Sequence, residues 1–387
     1  MNKKAIVQTI EGRKYVQLEG SHYEMGFQHG EALRDMIVDH VGGQRKYYAA
    51  VFGDRVEEAL EFACSVDGEY VSRMRQYTPE LIEEAQGIAD GAGIALRDVF
   101  MLNTFEELTE AAPEKMQLDL MDFNERCGEA EKLFKGCSSA SFRRSNGNVV
   151  CGSSMDFAPH LARHGIVLHL KRSDGFEILG ATLAGHYDMY GVNNAGLSVQ
   201  VTTIPNLAKS DNFLGLGSAA CQRLLLNQVS YEEAKRVLLE TRMLSGLSYQ
   251  IGTPDQYGIL ESSDRGVWAH SGEQQCLTNY AVLADRKISI PGVYDESGAP
   301  IINDGASYAQ MVERRENLKQ FIVDQPSTDA LKYELSHSVN NSDMPAFAVL
   351  YNTIFEFALD KIHCSFAFGA DPERKWIDLV LDYRTSL

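Results

Sequence analysis

An α+β fold is what this sequence predicts, on three observations. The first third carries helical spacing and a strong helix start at Thr78-Pro79-Glu80. After residue 137 the chain breaks into short β-prone runs punctuated by Asn146-Gly147 and Asp174-Gly175. The helical segments in that second part interrupt groups of strands instead of alternating with them one by one. Antiparallel strands segregated from helices pack as layers, whereas strict alternation builds a parallel sheet.

Taken in order, Ile6–Ile10 and Tyr15–Leu18 flank Glu11-Gly12-Arg13-Lys14 and read as a hairpin. Met25, His29, Leu33, Met36 and Ile37 then give helical spacing from Tyr23 to about Val41. Thr78 is the N-cap of the next helix, with Pro79 at its first position and Glu80 in its first turn. Leu81, Ala85, Ile88 and Ala92 form its apolar face and Gly93 ends it. Asp119 to Lys135 is a polar, charged stretch suited to a surface linker. Strands are expected at 138–142, 149–155, 166–170, 176–183, 197–201, 258–261, 363–368 and 377–381, with tight hairpin turns at Asn146-Gly147 and Asp174-Gly175. Helices are expected at 218–226, from Ser230 with the capping-box partner Glu233, and over 308–322.

With 387 residues, 44% of them hydrophobic, the chain can build a sizeable core. Its net charge of −18 repels nucleic acid and anionic membrane. Polar residues interrupt any signal-peptide core behind Met1-Asn2-Lys3-Lys4, and no apolar run is long enough to span a bilayer, so a cytoplasmic protein is expected. Seven cysteines without tight spacing fit a reducing compartment and argue against a disulfide framework or zinc ribbon. No cofactor is expected. His160 and His164 have zinc-helix spacing but lack the accompanying Glu, so they read as two solvated histidines and not as a metal site. Leu214-Gly215-Leu216-Gly217-Ser218 lacks the ending of a phosphate loop and reads as a helix entry.

The chemistry centres on Cys137. A Gly136-Cys137 junction follows the charged linker and opens an apolar, β-prone run, as a strand does when its first residue is to become a new N-terminus. Cysteine freed there carries a thiol nucleophile and an α-amine of pKa roughly 8, suited to act as its base. Asp156 ends the strand that pairs with the Cys137 strand through the Asn146-Gly147 turn, so hairpin geometry returns it towards Cys137. Asn193 and Asn279 are candidate amide donors to an oxyanion; the alternative for Asn193, a plain Asn-Gly turn, stays open. Arg314 and Arg315 are candidates for binding a substrate carboxylate or, equally, for an exposed helix face.

Four runs together resemble the penicillin acyltransferase-like family of N-terminal nucleophile hydrolases, which are related to the choloylglycine and penicillin V amidases. Gly20-Ser21-His22-Tyr23-Glu24-Met25-Gly26-Phe27-Gln28-His29-Gly30 is similar to the family's opening signature. The run Leu81 to Gly93, with Leu102-Asn103 and Glu106-Glu107-Leu108, resembles its helical pro-segment motif. Gly136-Cys137-Ser138-Ser139 matches its self-cleavage site, and Asp156, Asn193-x-x-Gly196-Leu197 and Thr278-Asn279 follow in the family's order. The resemblance implies a four-layer αββα sandwich. It divides the chain into a mainly helical pro-segment, 1–136, packed on the core, and a catalytic part, 137–387, which stay together as a heterodimer after cleavage between Gly136 and Cys137. It makes Cys137 nucleophile and base and Asn279 the oxyanion donor, with Asp156 and Asn193 supporting them. Ser153, Met155 and Tyr280 depart from the residues relatives often show beside the nucleophile and after Thr-Asn, and are assigned to the substrate side. The implied activity is hydrolysis of a small-molecule C–N amide, or acyl transfer to an amine, after autocatalytic activation. Competing readings are a papain-like Cys–His protease, which wants a helix under its Cys, and an uncleaved binding module of the same fold.

Overall fold

The computed structural model describes residues 3–110, 116–119, 137–157, 159–204, 215–244, 246–263, 266–272, 274–280, 282–283, 305–337, 348–369 and 371–384. Strands β1 (Ile6–Ile10) and β2 (Arg13–Gly20) form the expected hairpin. Where the spacing predicts one helix from Tyr23 to Val41, the chain makes two. Helix α1 (His22–Ala32) is capped by a Ser21–Glu24 capping box, and α2 (Arg34–Phe52) starts after Leu33, whose φ of −120° and ψ of 21° leave the helical region. Helices α3 (Val56–Cys64), α4 (Glu69–Tyr77), α5 (Pro79–Ala92), α6 (Leu96–Leu102) and α7 (Phe105–Glu110) complete this part. Thr78 precedes α5 as expected, but its hydroxyl donates to Met74 O at the end of α4, so Pro79 and the first-turn Glu80 set the start unaided. Gly93 closes α5 in the left-handed conformation, φ 72°.

The break at Leu33 follows from how α1 is held. Gly26 and Gly30 on α1 face Gly87 and Gly91 on α5 so closely that a Cβ on Gly26 would lie 2.1 Å from Glu84 O, and one on Gly91 2.2 Å from Phe27 O. Two helices meet backbone to backbone only where neither carries a side chain. The α1–α5 pairing fixes the direction of α1, and the chain must turn before α2 can reach its own neighbours, α3 and α6. The two glycine-bearing runs of the sequence are thus the two halves of one helix contact.

From residue 137 the chain builds β3 (Ser138–Arg143), β4 (Val149–Phe157), β5 (Gly165–Arg172), β6 (Glu177–Leu183), β7 (Tyr190–Asn193) and β8 (Ser198–Thr203), then α8 (Ser218–Leu226) and α9 (Tyr231–Glu240). There follow β9 (Leu247–Gly252), β10 (Tyr257–Ser263), β11 (Gly266–Ser271), β12 (Gln275–Leu277), α10 (Gly305–Val323), α11 (Thr328–His337), β13 (Ala348–Phe357), β14 (Lys361–Phe368) and β15 (Ile377–Asp382). Gly217 is the N-cap of α8, so the Gly-rich run from Gly215 is the expected helix entry. One sheet runs β1-β2-β5-β6-β7-β8-β9-β10-β11 and the other β12-β3-β4-β13-β14-β15. The sheets lie face to face. Helices α8 and α9 pack on strands of the first, α10 and α11 on strands of the second, giving an α+β sandwich of four layers.

Three hairpins share one turn. In β3–β4, β5–β6 and β7–β8 a three-residue loop ends in a left-handed glycine, Gly147 (φ 92°), Gly175 (φ 80°) and Gly196 (φ 93°). The seam between the sheets is polar. Ser139 Oγ meets Ser153 Oγ at 2.9 Å and Thr202 Oγ1 at 3.4 Å, and Gln200 Nε2 donates to Thr353 Oγ1 at 2.7 Å. These bonds satisfy part of the seam's buried polar groups, while Gln200 Oε1 has no partner among the described residues.

Residues 3–110 are built into this sandwich. Strand β2 pairs in parallel with β5 and adds the N-terminal hairpin to the larger sheet. Arg223 of α8, fully buried, donates to both carboxylate oxygens of Glu84 on α5, at 3.0 and 2.9 Å, and to Tyr187 O at 2.8 Å. Apart from Asp119, the stretch read as a linker lies outside the described residues, as does Gly136. Among the described residues no helix is long and apolar enough to cross a membrane.

Candidate active site

Cys137 stands immediately before β3, on the face of that sheet turned towards the larger one. The β3–β4 register, Ser138 opposite Ser154 and Ser139 opposite Ser153, places Met155 and Asp156 beside it. Hairpin pairing therefore returns Asp156 to the cysteine, and the Asp156 N–H is hydrogen-bonded to the thiol. The Tyr190 hydroxyl is bonded to Cys137 Sγ at 3.7 Å and to Val201 O. A phenol has one proton and a carbonyl can only accept, so when Val201 takes that proton the thiol is the donor to Tyr190. Burial pushes the Cys137 thiol up to about 11, and the Asp156 charge adds to the rise. A thiol raised that far keeps its proton at neutral pH.

Asp156 is itself buried, and burial raises its carboxyl to about 6, against the Ser154 hydroxyl at 2.6 Å and the guanidinium groups of Arg314 and Arg374. Arg314, from α10, donates to Cys137 O at 3.3 Å and to Asn279 Oδ1 at 3.2 Å. Because guanidinium only donates, this contact fixes which end of the Asn279 amide is oxygen. Asn279 Nδ2 donates to Thr203 O at 3.0 Å, and an amide nitrogen has a second hydrogen to offer.

Cys137, Met155, Asp156 and Asn279 line one cavity of about 60 Å³, whose wall also includes His40 and Gln44 of α2, Asn103, Glu106, His186, Asp188, Tyr190 and Gln222. It lies between the N-terminal helices and the strands that begin at Cys137. Among the described residues no group of three or more His, Cys, Asp or Glu side chains is arranged to hold a metal ion.

The structure corrects several expectations. Asn193 donates through Nδ2 to Leu226 O and Gln228 O, at 2.8 and 2.7 Å, and accepts from Leu197 N at 3.0 Å. Both amide hydrogens are spent, so it ties the β7–β8 turn to the end of α8 and has none for an oxyanion. Ser153 belongs to the seam between the sheets, bonded to Ser139 Oγ and Ser138 O, and is not among the residues lining the cavity. Tyr280 also stands outside that lining, with the Arg315 guanidinium 5.9 Å from its ring centre. Arg315 holds Cys276 O of β12 at 2.9 Å. Arg314 is half-buried beside Cys137, so the exposed-helix-face reading does not hold for it. His164 is not solvated: it is 1% exposed, bonded to Asp39 at 2.9 Å and stacked on His40, while His160 stacks on Tyr47.

Sequence reasoning gave no role to His40, Tyr190 or Gln222. Glu106 appears in it only as part of a motif, although two adjacent acids ahead of Leu108, which is fully buried, are themselves a signal.

No family model matches the chain. An uncharacterized protein of Archaeoglobus fulgidus is 24% identical over 216 residues, 53% of this chain and 35% of that protein, so the chain spans about a third of the relative's length. Among solved structures, a mutant conjugated bile acid hydrolase from Clostridium perfringens aligns with a TM-score of 0.44 and 11% identity over 65% of this chain and 97% of that one.

Proposed function

We propose that the chain is a self-activating cysteine amidohydrolase with Cys137 as its nucleophile. What carries the reading is that Cys137 opens a strand at a cavity it shares with Asp156 and Asn279, with Arg314 joining the Cys137 carbonyl to the Asn279 side chain. A cysteine protease of papain type wants a helix under the cysteine, and here a strand follows it.

In the precursor the Cys137 sulfur attacks the Gly136 carbonyl. The peptide C–N bond breaks, its nitrogen leaves with a proton as the Cys137 α-amine, and water hydrolyses the resulting thioester. With a thiol near 11 the first step needs a base, and afterwards the freed α-amine is that base. The amine takes the thiol proton, sulfur attacks a substrate amide, and the second N–H of Asn279 Nδ2 stabilises the oxyanion. The α-ammonium then protonates the leaving amine, and water resolves the acyl-thioester to acid and thiol. A second amine seated in place of water turns the same step into acyl transfer.

The test is turnover of a panel of small amides by wild type, Cys137→Ala and Asn279→Ala, with hydroxylamine added to trap the acyl-thioester as hydroxamate. Turnover lost in Cys137→Ala and reduced about 10²-fold or more in Asn279→Ala is the expected result, since one oxyanion donor supplies roughly that factor. Equal turnover in wild type and Cys137→Ala excludes the mechanism.

A further inference from the structure

In the cavity at Cys137 three acceptors have no donor among the described residues, and one donor, Gln44 Nε2, has no acceptor. Glu106 Oε2, Gln222 Oε1 and His40 Nε2 are buried with no hydrogen-bond partner among the described residues, and all three side chains line the cavity.

Each open atom is fixed as an acceptor by what the rest of its side chain does. His40 Nδ1 faces Ala184 O at 2.8 Å, so Nδ1 carries the proton and Nε2 the lone pair. The ring lies between those of His164 and His186, 4.4 and 5.3 Å away, and is held neutral by burial and by those neighbours. Glu106 Oε1 takes the Thr203 hydroxyl at 2.6 Å and the Ser218 hydroxyl also faces this carboxyl group, while Oε2 has no partner in full hydrogen-bond geometry. Gln222 Nε2 points to Asp188 Oδ2 at 3.5 Å, which leaves its carbonyl.

The charge on the wall has one sign. Glu106, Asp156 and Asp188 face the cavity, and no Lys or Arg is among its lining residues. His186 does not alter this, because its Nδ1 is already engaged with Asp188 Oδ1 at 2.9 Å. Burial first, and then the Glu106 charge, raises the neighbouring Glu107 carboxyl to about 8. Three unanswered acceptors on a wall whose charged side chains are acidic match a primary ammonium, which brings three N–H donors and one positive charge.

We propose that this cavity binds a primary ammonium group of the substrate through Glu106, Gln222 and His40, so that the amide presented to Cys137 is an aminoacyl-type or other amine-bearing amide. The proposal rests on the reading of Cys137 as the nucleophile for its catalytic meaning, but ammonium binding is measurable without turnover.

The probes are n-propylammonium, 1-propanol and propionate, titrated by calorimetry into wild type and Cys137→Ala. The ammonium is expected to bind both proteins at least tenfold more tightly than the alcohol, with no binding of propionate. Glu106→Gln should weaken it about tenfold and Gln222→Leu several-fold. Equal binding of the three probes, or an ammonium affinity unchanged in both cavity variants, overturns the proposal. Binding by Cys137→Ala alone also overturns it, because the freed α-amine of Cys137 would then be the natural occupant. Ammonium binding without any amide turnover would instead fail the hydrolase reading and leave the cation site standing.

Discussion

Burial decides the resting state of the two reactive groups at this site. The Cys137 thiol sits near 11 and the Asp156 carboxyl near 6, each raised first by loss of water and, for the thiol, then by the neighbouring carboxylate. Removing that charge should lower the thiol. Alkylation of Cys137 at pH 9, followed by mass spectrometry on the intact-chain population of each protein, should run several-fold faster in Asp156→Asn than in wild type; an unchanged or slower rate would show that Asp156 does not set the thiol. Glu107 gives the clearest pH effect. It is fully buried and raised from 4.5 to about 8, so the native state binds a proton that the unfolded chain releases, and stability falls as pH rises from 4.5 to 8. That linkage is worth on the order of 4 kcal/mol across the window. Glu107→Gln, which keeps an acceptor for the Ser218 N–H, should therefore raise the urea midpoint at pH 8 and change it little at pH 4.

Which of these residues can be read from the sequence depends on how far apart the partners are. Asp156 is legible because a hairpin turn and a two-residue alternation fix its register against Cys137. Arg314 is not, because its contact with Cys137 joins residues 177 positions apart, and nothing local in a helix reveals that. Asn193 looks like a pocket residue for the same reason that it is a turn residue, an Asn three positions before a glycine; only its bonds to Leu226 O and Gln228 O separate the two.

Among the elements, the α1–α5 contact is the least tolerant of change. Gly87→Ala would put its Cβ 2.3 Å from Tyr23 O, so the helices must separate, at a cost of about 3 kcal/mol or more. Gly42→Ala is the control. That glycine is exposed in mid-α2 with nothing within 4 Å of its Cβ position, and alanine there should gain roughly 0.5–1 kcal/mol from helix propensity alone. Thermal melting of the pair should move in opposite directions. Strands with clean alternation or a turn signal are the ones the sequence shows, such as β3, β5 and β14. Strand β13 is buried on both faces, with Asn352 and Thr353 buried between its two apolar runs, so it lacks the alternation that marks a strand. Strand β9 does alternate, Leu247, Tyr249 and Ile251 against Ser248 and Gln250, but both sets are buried because the seam between the sheets is polar.

At the scale of the whole molecule, the N-terminal part is locked to the strands after Cys137 by a shared sheet and by the Glu84–Arg223 pair. Arg223 and His22 hold the Glu84 carboxyl at about 2 despite its burial, so the pair persists until strongly acidic pH. Glu84→Gln leaves Arg223 charged in the core and should destabilise the protein by about 3–5 kcal/mol, read from the denaturant midpoint. If cleavage occurs after Gly136, this packing predicts two fragments that co-elute in native buffer and part only on unfolding.

Intact-mass measurement of denatured wild type beside Cys137→Ala tests the central claim most directly. The account predicts two fragments in wild type, the second beginning at Cys137, and one full-length chain in Cys137→Ala. A single chain in both would contradict self-activation, and cleavage in both would show that the thiol is not its agent.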